Sequence, residues 1–216
     1  DLISLANIVM AQKVYGEEVN EGYVRHMILN SLRNYNKQHK EEYGEMVLCY
    51  DGGNNWRKSV YPEYKANRKK NREESDTDWD QIFGWIHGVK DEIRENFPYR
   101  VVHVDKAEAD DIIASLVKRN QSANNPEPIL ILSADKDFIQ LHKYPAVKQY
   151  DPIRNRWIQD EDPVKYLQEH IIRGDRSDGI PNILTCDDAI VMNKPQKKMR
   201  SEEHTSELQS LTNLVC

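Results

Sequence analysis

The stretch Ile129–Asp137, Ile-Leu-Ile-Leu-Ser-Ala-Asp-Lys-Asp, constrains the fold more than any other. An unbroken apolar run of this length, bounded by Pro128 and Ser133, predicts a strand buried on both faces. Such strands belong to parallel sheets covered by helices, where ligands bind beyond the carboxyl ends of the strands. Asp135 and Asp137 therefore fall where an α/β protein places its chemistry. Two further runs have the same shape. Met46–Tyr50 ends in Asp51-Gly52-Gly53, and Val101–Val104 ends in Asp105. The sequence predicts three strand exits, each with a carboxylate.

Helical patterns lie between these runs. Tyr23–Tyr43 repeats Val24, Met27, Ile28, Ser31, Leu32 and Tyr35 at helical spacing, and Gly44 suits its end. Asp78–Glu95 presents Ile82, Trp85, Ile86, Val89 and Ile93, with Thr77 or Ser75 as the expected cap. Ala107–Arg119 opens with Glu108-Ala109-Asp110-Asp111 and turns Ile112, Ile113, Leu116 and Val117 inward. A helix is expected through Phe138 and Leu141, an edge hairpin from Val147–Tyr150 and Trp157-Ile158 around Asp151-Pro152, and a helix over Val164–Arg173. Leu2–Lys13 also has helical spacing. The alternation is that of an α/β fold, with a mostly parallel central sheet flanked by helices. The 216 residues suffice for one such domain.

In that fold, the strand exits share one edge. The edge collects Asp51, the Glu108, Asp110 and Asp111 group, and the Asp135 and Asp137 pair. Asp1 joins them if a strand precedes it, and Asp175 and Asp178 lie in a turn-rich loop that can approach. Two carboxylates about 4 Å apart repel by about 4 kcal/mol at an effective dielectric near 20. Either some are protonated or cations lie between them. An oxygen-only donor set points to hard cations, Mg²⁺ or Mn²⁺. Each acid also has a plainer use. Asp51 can form a turn, the Glu108 group can open a helix, and Asp135 and Asp137 can cap the next one.

A second segment has opposite character. Over residues 54–74, Arg57, Lys58, Lys65, Arg68, Lys69, Lys70 and Arg72 interleave with Trp56, Tyr61 and Tyr64. Pro62 suits a first helical turn, from which Lys65, Arg68 and Arg72 would form one stripe. Such a stripe binds phosphates, and neighbouring tyrosines can stack on unpaired bases. A solvated charged helix is the plainer alternative. The net charge of -6 argues only weakly against nucleic acid, because local distribution outweighs the sum. No apolar run is long enough to cross a membrane. Three cysteines without metal spacing fit a reducing compartment, the cytoplasm.

Four ordered motifs carry a family resemblance: Tyr61–Arg68, Glu108–Ala114, Ser133–Leu141 and Gly174–Pro181. Together they resemble the 5′-nuclease family of flap endonucleases and the 5′-nuclease domain of bacterial DNA polymerase I. The run His142–Gln149 is similar to bacteriophage members. The resemblance covers roughly residues 1–188. It implies a PIN-like 5′-nuclease fold with a helical arch and two Mg²⁺ ions, with Mn²⁺ as an alternative. It assigns Asp1, Asp51, Glu108, Asp110, Asp111, Asp135, Asp137, Asp175 and Asp178 to the metals. Lys65 and Arg68 are assigned to catalysis. Arg57, Tyr64, Lys65, Arg68, Lys69 and Arg72 are assigned to nucleic-acid binding, with Tyr64 stacking on a base.

The implied activity is 5′→3′ exonuclease and flap endonuclease cleavage with RNase H activity, removing RNA primers and 5′ flaps in phage replication. The implied substrates are flapped or branched duplex DNA and RNA–DNA hybrid. A phage single-strand-binding protein and a clamp are the implied protein partners, and the host cytoplasm the implied location.

The implied layout is a catalytic domain over 1–160 lacking its first strand, the start of a truncated C-terminal helical region over 161–199, and a tail over 200–216. That tail resembles a translated sequencing adapter. The family's helix-hairpin-helix glycines are replaced by Asn182–Cys186. A PIN-like ribonuclease and a nucleic-acid-binding module with a decayed site are the alternative readings. The basic segment and the Gly174–Asp178 motif weigh against the first, and the full carboxylate set against the second.

Overall fold

The computed structural model describes residues 20–74 and 77–198. These residues form two compact units, one from 20–53 and 78–159 and the other from 54–74, 77 and 160–198. The helix expected at Leu2–Lys13, Asp1 and the tail over 200–216 lie outside the described residues.

The first unit opens with helix α1 (Glu21–Tyr43). Asn20 caps it by accepting a hydrogen bond from Tyr23 N at 3.0 Å. Gly44, at φ 75°, ends it, a left-handed backbone that glycine adopts without a Cβ penalty. Strand β1 (Val47–Tyr50) follows. Helix α4 (Trp79–Asn96) lies against α1. Two short helices of the second unit, α2 (Arg57–Val60) and α3 (Ala66–Glu73), precede it in the chain. Val24 and Ile28 of α1 pack with Ile82, Ile86, Val89 and Ile93 of α4. The cap of α4 is Asp78, which accepts from Gln81 N at 3.0 Å, rather than Thr77 or Ser75. Asp78 stands directly before the first helical residue and brings a negative charge to the positive end of the helix.

Strand β2 (Arg100–His103) runs parallel to β1, with Leu48 beside Val101. Helix α5 (Ala109–Gln121) returns from β2 to strand β3 (Ile129–Leu132). Strand β4 (Val147–Asp151) is parallel to β3, and β5 (Arg156–Ile158) is antiparallel to β4. The segment through Phe138 and Leu141 is a 3₁₀ helix, Lys136–Lys143. Val117, Ile131, Phe138, Leu141 and Val147 form a second core.

The expected central sheet is divided among the described residues. β1–β2 form one sheet and β3–β4–β5 another. A cavity of about 500 Å³ lies along both β1 and β3, with Leu48, Tyr50, Ile113, Ile129 and Ile131 in its walls. The opening explains a second departure from expectation. No residue of β1 is fully buried, and Val47 is 41% exposed. In β3 only Ile131 is buried.

The second unit contains α2, α3 and helix α6 (Pro163–Arg173). Asp162 caps α6, accepting from Lys165 N at 3.0 Å, and Pro163 occupies the first turn. Gly174, at φ 69°, ends it. A Cβ on Gly174 would lie 2.4 Å from the Pro181 carbonyl oxygen, so the chain can fold back only with glycine here. Residues 182–192 form turns rather than a helix. Asn182 organises them, accepting from Leu184 N and Thr185 Oγ1 and donating to Lys197 O at 2.9 Å.

The basic segment does not form the single helix expected from Pro62 onward. Pro62 lies in a turn between α2 and α3. Lys65 precedes α3 with φ 56°, a conformation uncommon in a lysine. Lys65 therefore stands outside the helix that carries Arg68 and Arg72.

Candidate metal centre and nucleic-acid interface

In the first unit, carboxylates gather where strands end. Asp51 follows β1 directly, and its Oδ1 accepts from Ala109 N at 2.7 Å. This ties the exit of β1 to the first turn of α5, after β2. The approach depends on Gly52, whose N–H donates to Ala107 O at 2.6 Å. A Cβ on Gly52 would meet the Val104 carbonyl oxygen at 2.1 Å. Glu108 caps α5 and is buried. Asp111 accepts from Glu108 N through Oδ2 at 3.0 Å. Asp110, half-buried in the same turn, reaches the cavity wall.

Beyond β3, Asp135 caps the 3₁₀ helix. Its Oδ1 accepts from Asp137 N at 2.9 Å, and its own N–H donates to Ser133 Oγ at 3.1 Å. The plainer structural uses of these acids are thus real. Asp51 and Asp135 each spend one oxygen on a main-chain N–H, and their second oxygens make no hydrogen bond to the described residues. A half-anchored carboxylate with a second oxygen to offer fits a hard divalent cation, which takes oxygen donors and keeps some water.

Sequence reasoning missed the group that holds this turn. Gln149 on β4 is 0% exposed. Its Nε2 donates to Ser133 O at 2.8 Å and to Asp135 O at 2.6 Å, and its Oε1 lies 3.1 Å from His142 Nε2. The signal was present in the alternation of Val147-Lys148-Gln149, which puts Gln149 on the same inward face as Val147. A polar side chain facing inward needs partners.

In the second unit, the loop after α6 folds on Asp175. Its Oδ1 accepts from Ser177 N at 2.7 Å, Ser177 Oγ at 2.6 Å and Asp178 N at 3.3 Å. Its Oδ2 lies 3.8 Å from His170 Nε2. Burial alone would raise its pKa. The hydrogen bonds from Ser177 and Asp178, with the nearby His170, outweigh that and hold it below the ordinary aspartate value. His170 carries no motif and was not singled out from sequence.

Asp178, by contrast, faces the basic segment. Its Oδ1 is 2.5 Å from Arg68 Nη2, while Oδ2 accepts from Tyr64 OH at 3.0 Å and lies 3.7 Å from Lys65 Nζ. Tyr64 was expected to stack on a base, but it is only 4% exposed. Its ring lies 4.8 Å from Lys65 Nζ and 5.8 Å from the Arg57 guanidinium. A base could reach this ring only after the packing opens. Arg57 also covers the exposed Trp56 ring at 4.7 Å. Arg72 is exposed on α3, and the Lys69 side chain lies outside the description.

The architecture is that of an α/β protein of the 5′-nuclease fold. The sequence matches the 5′-3′ exonuclease, N-terminal resolvase-like domain family over residues 9–171. The chain belongs to that family. It is similar to ribonuclease H of Enterobacteria phage T4, with 41% identity over 172 residues, 77% of this chain and 56% of that protein. It is also similar to flap endonuclease Xni of Shewanella sp. (strain MR-4), with 26% identity over 147 residues, 64% of this chain and 52% of that one. The chain thus spans about half the length of these relatives. The bacteriophage T5 flap endonuclease, solved in complex with DNA and metal ions, shares the fold. That likeness has a TM-score of 0.62 at 16% identity and covers 86% of this chain and 76% of the other.

Proposed function

We propose that this chain carries the catalytic part of a metal-dependent phosphodiester hydrolase. It acts as a 5′→3′ exonuclease and flap endonuclease with RNase H activity, removing RNA primers and 5′ flaps during phage DNA replication. The observation that carries the reading is the family match over residues 9–171, in which Asp51, Asp135 and Asp137 follow β1 and β3 and Glu108, Asp110 and Asp111 open α5.

Two Mg²⁺ ions, or Mn²⁺, are the proposed cofactors. Asp51, Glu108, Asp110, Asp111 and Asp135 would hold one, joined by Asp1. Asp137, Asp175 and Asp178 would serve the other. When bound, such ions activate a water and neutralise charge on the leaving oxygen. Asp51 and Asp135 present one oxygen each with the other fixed by the main chain, so little reorganisation accompanies binding. Lys65 and Arg68 stabilise charge on the scissile phosphate. Arg57, Lys69 and Arg72 add phosphate contacts along the strand. The proposed partners are flapped or branched duplex DNA and RNA–DNA hybrid, with a phage single-strand-binding protein and clamp beside them in the host cytoplasm. No described helix is long and apolar enough to cross a membrane.

The proposed catalytic domain spans residues 1–160. The packing break between residues 159 and 160 supports a C-terminal region beginning near 161, although residues 54–77 cluster with that region.

A 5′-labelled flapped duplex and an RNA–DNA hybrid, incubated with the full-length protein, test the function. Cleavage with Mg²⁺ that stops on chelation is expected. Cleavage indifferent to chelator, or preference for free single-stranded RNA over both substrates, overturns it.

A further inference from the structure

Asp178 occupies a site built for an anion. Three donors from one short segment converge on it: the Tyr64 hydroxyl on Oδ2, the Arg68 guanidinium on Oδ1, and the Lys65 ammonium beside Oδ2. The main chain reinforces the grip. Lys65 N donates to Asp178 O at 2.8 Å, and Arg68 Nε lies 3.4 Å from Ser177 O. Tyr61 OH donates to Gly179 O at 3.0 Å and to Asp187 O at 2.6 Å. The Asp178 side chain is 14% exposed, whereas that of Arg68 is 52% exposed. A carboxylate offers two oxygens in one plane, much as a phosphodiester offers two non-bridging oxygens, and arginine pairs with either.

We infer that Asp178 is an internal competitor for phosphate, holding Tyr64, Lys65 and Arg68 in the free protein and yielding them when a nucleic-acid phosphate enters. The inference rests on the proposed nucleic-acid function and adds a regulatory contact to it. Both oxygens of Asp178 are engaged by donors that a phosphate would also recruit, so the carboxylate and an incoming phosphate compete for Tyr64, Lys65 and Arg68. The half-exposed Arg68 is the point at which an incoming phosphate first competes. The latch holds the basic segment closed until a ligand of higher charge replaces the carboxylate.

The test is binding of a fluorescent 5′-tailed DNA duplex to the full-length protein in EDTA, read by anisotropy, so that neither metal nor turnover contributes. Asp178→Ala is expected to tighten binding at least threefold. It should also steepen the salt dependence by about one to two phosphate contacts, at roughly 0.9 in slope for each. Asp178→Asn, which keeps a hydrogen-bond acceptor, should tighten it as well. Adding Arg68→Ala to Asp178→Ala should remove most of the gain. Asp187→Asn, which removes one exposed charge from the same unit, should not reproduce it.

If wild type binds and neither Asp178 variant binds tighter, Asp178 is a structural brace and the inference is overturned while the nuclease reading stands. Equal gains from Asp187→Asn and Asp178→Asn also overturn it, because bulk charge would then explain both. Failure of all forms to bind DNA overturns the inference together with the nucleic-acid reading.

Discussion

The Gln149 side-chain amide donates to the Asp135 carbonyl oxygen at 2.6 Å, so a buried residue of β4 fixes the turn that presents the Asp135 carboxylate. The same nitrogen also donates to Ser133 O. Replacing Gln149 by Leu leaves two carbonyls unsatisfied in a closed site, each costing about 1–3 kcal/mol. Urea denaturation should show a loss within or above that range. Divalent-ion affinity measured by calorimetry should fall with it. Gln149→Glu should be worse, because a buried carboxylate would face two carbonyl oxygens.

Gly52 and Gly53 form a matched pair for testing how the Asp51 exit is built. A methyl group at Gly52 would overlap the Val104 carbonyl, whereas nothing lies within 4 Å of a Cβ at Gly53. Gly52→Ala should destabilise by about 1–3 kcal/mol, the usual range for overpacking, and should displace Asp51 from Ala109 N. Gly53→Ala should stay within about 0.5 kcal/mol of wild type. Thermal melts of the two variants provide the comparison.

Asp151 sets an acid limit on stability. Burial pushes its pKa up, but hydrogen bonds from Arg154 and Ile153 and the Arg154 charge outweigh this and hold it below the ordinary value. A carboxyl group depressed on folding contributes stability that is fully present above the unfolded aspartate pKa of about 3.9. That contribution is lost as pH falls through the lower, folded value. The stability gap between wild type and Asp151→Asn should therefore be full near neutrality and close below about pH 4. Denaturation curves across that window check it. A gap independent of pH would assign Asp151 a purely geometric role.

The thiols should differ sharply. Burial pushes the Cys49 pKa up to about 11, whereas Cys186 is exposed. Since thiolate is the reactive form, iodoacetamide at neutral pH should modify Cys186 before Cys49. Cys49 should follow only at strongly alkaline pH or on unfolding. Peptide mapping by mass spectrometry reads both sites.

Strand β3 was legible because an apolar run that ends in acids has few other uses. Helices α1 and α4 were legible because their buried stripes repeat at three and four residues. The basic segment was misread because its shape is not local. Lys65 adopts a positive φ where its N–H donates to Asp178 O, far along the chain, and no helical pattern contains that bond. Tyr64 was read as a stacking platform because aromatic residues among cations suggest one. Its burial follows from the loop after α6, which the spacing around Tyr64 does not reveal.

Asp135→Asn separates a role of the strand-end carboxylates in the reaction from a role in the fold alone, because Asn keeps an acceptor for Asp137 N while removing the charge. Cleavage of a 5′-labelled flapped duplex with Mg²⁺ should be measured beside binding of the same duplex by the full-length protein. Binding is expected within about twofold of wild type and turnover reduced by at least about a hundredfold, the scale seen when an electrostatic contribution to a transition state is lost. Wild-type turnover in Asp135→Asn would contradict a role in the reaction.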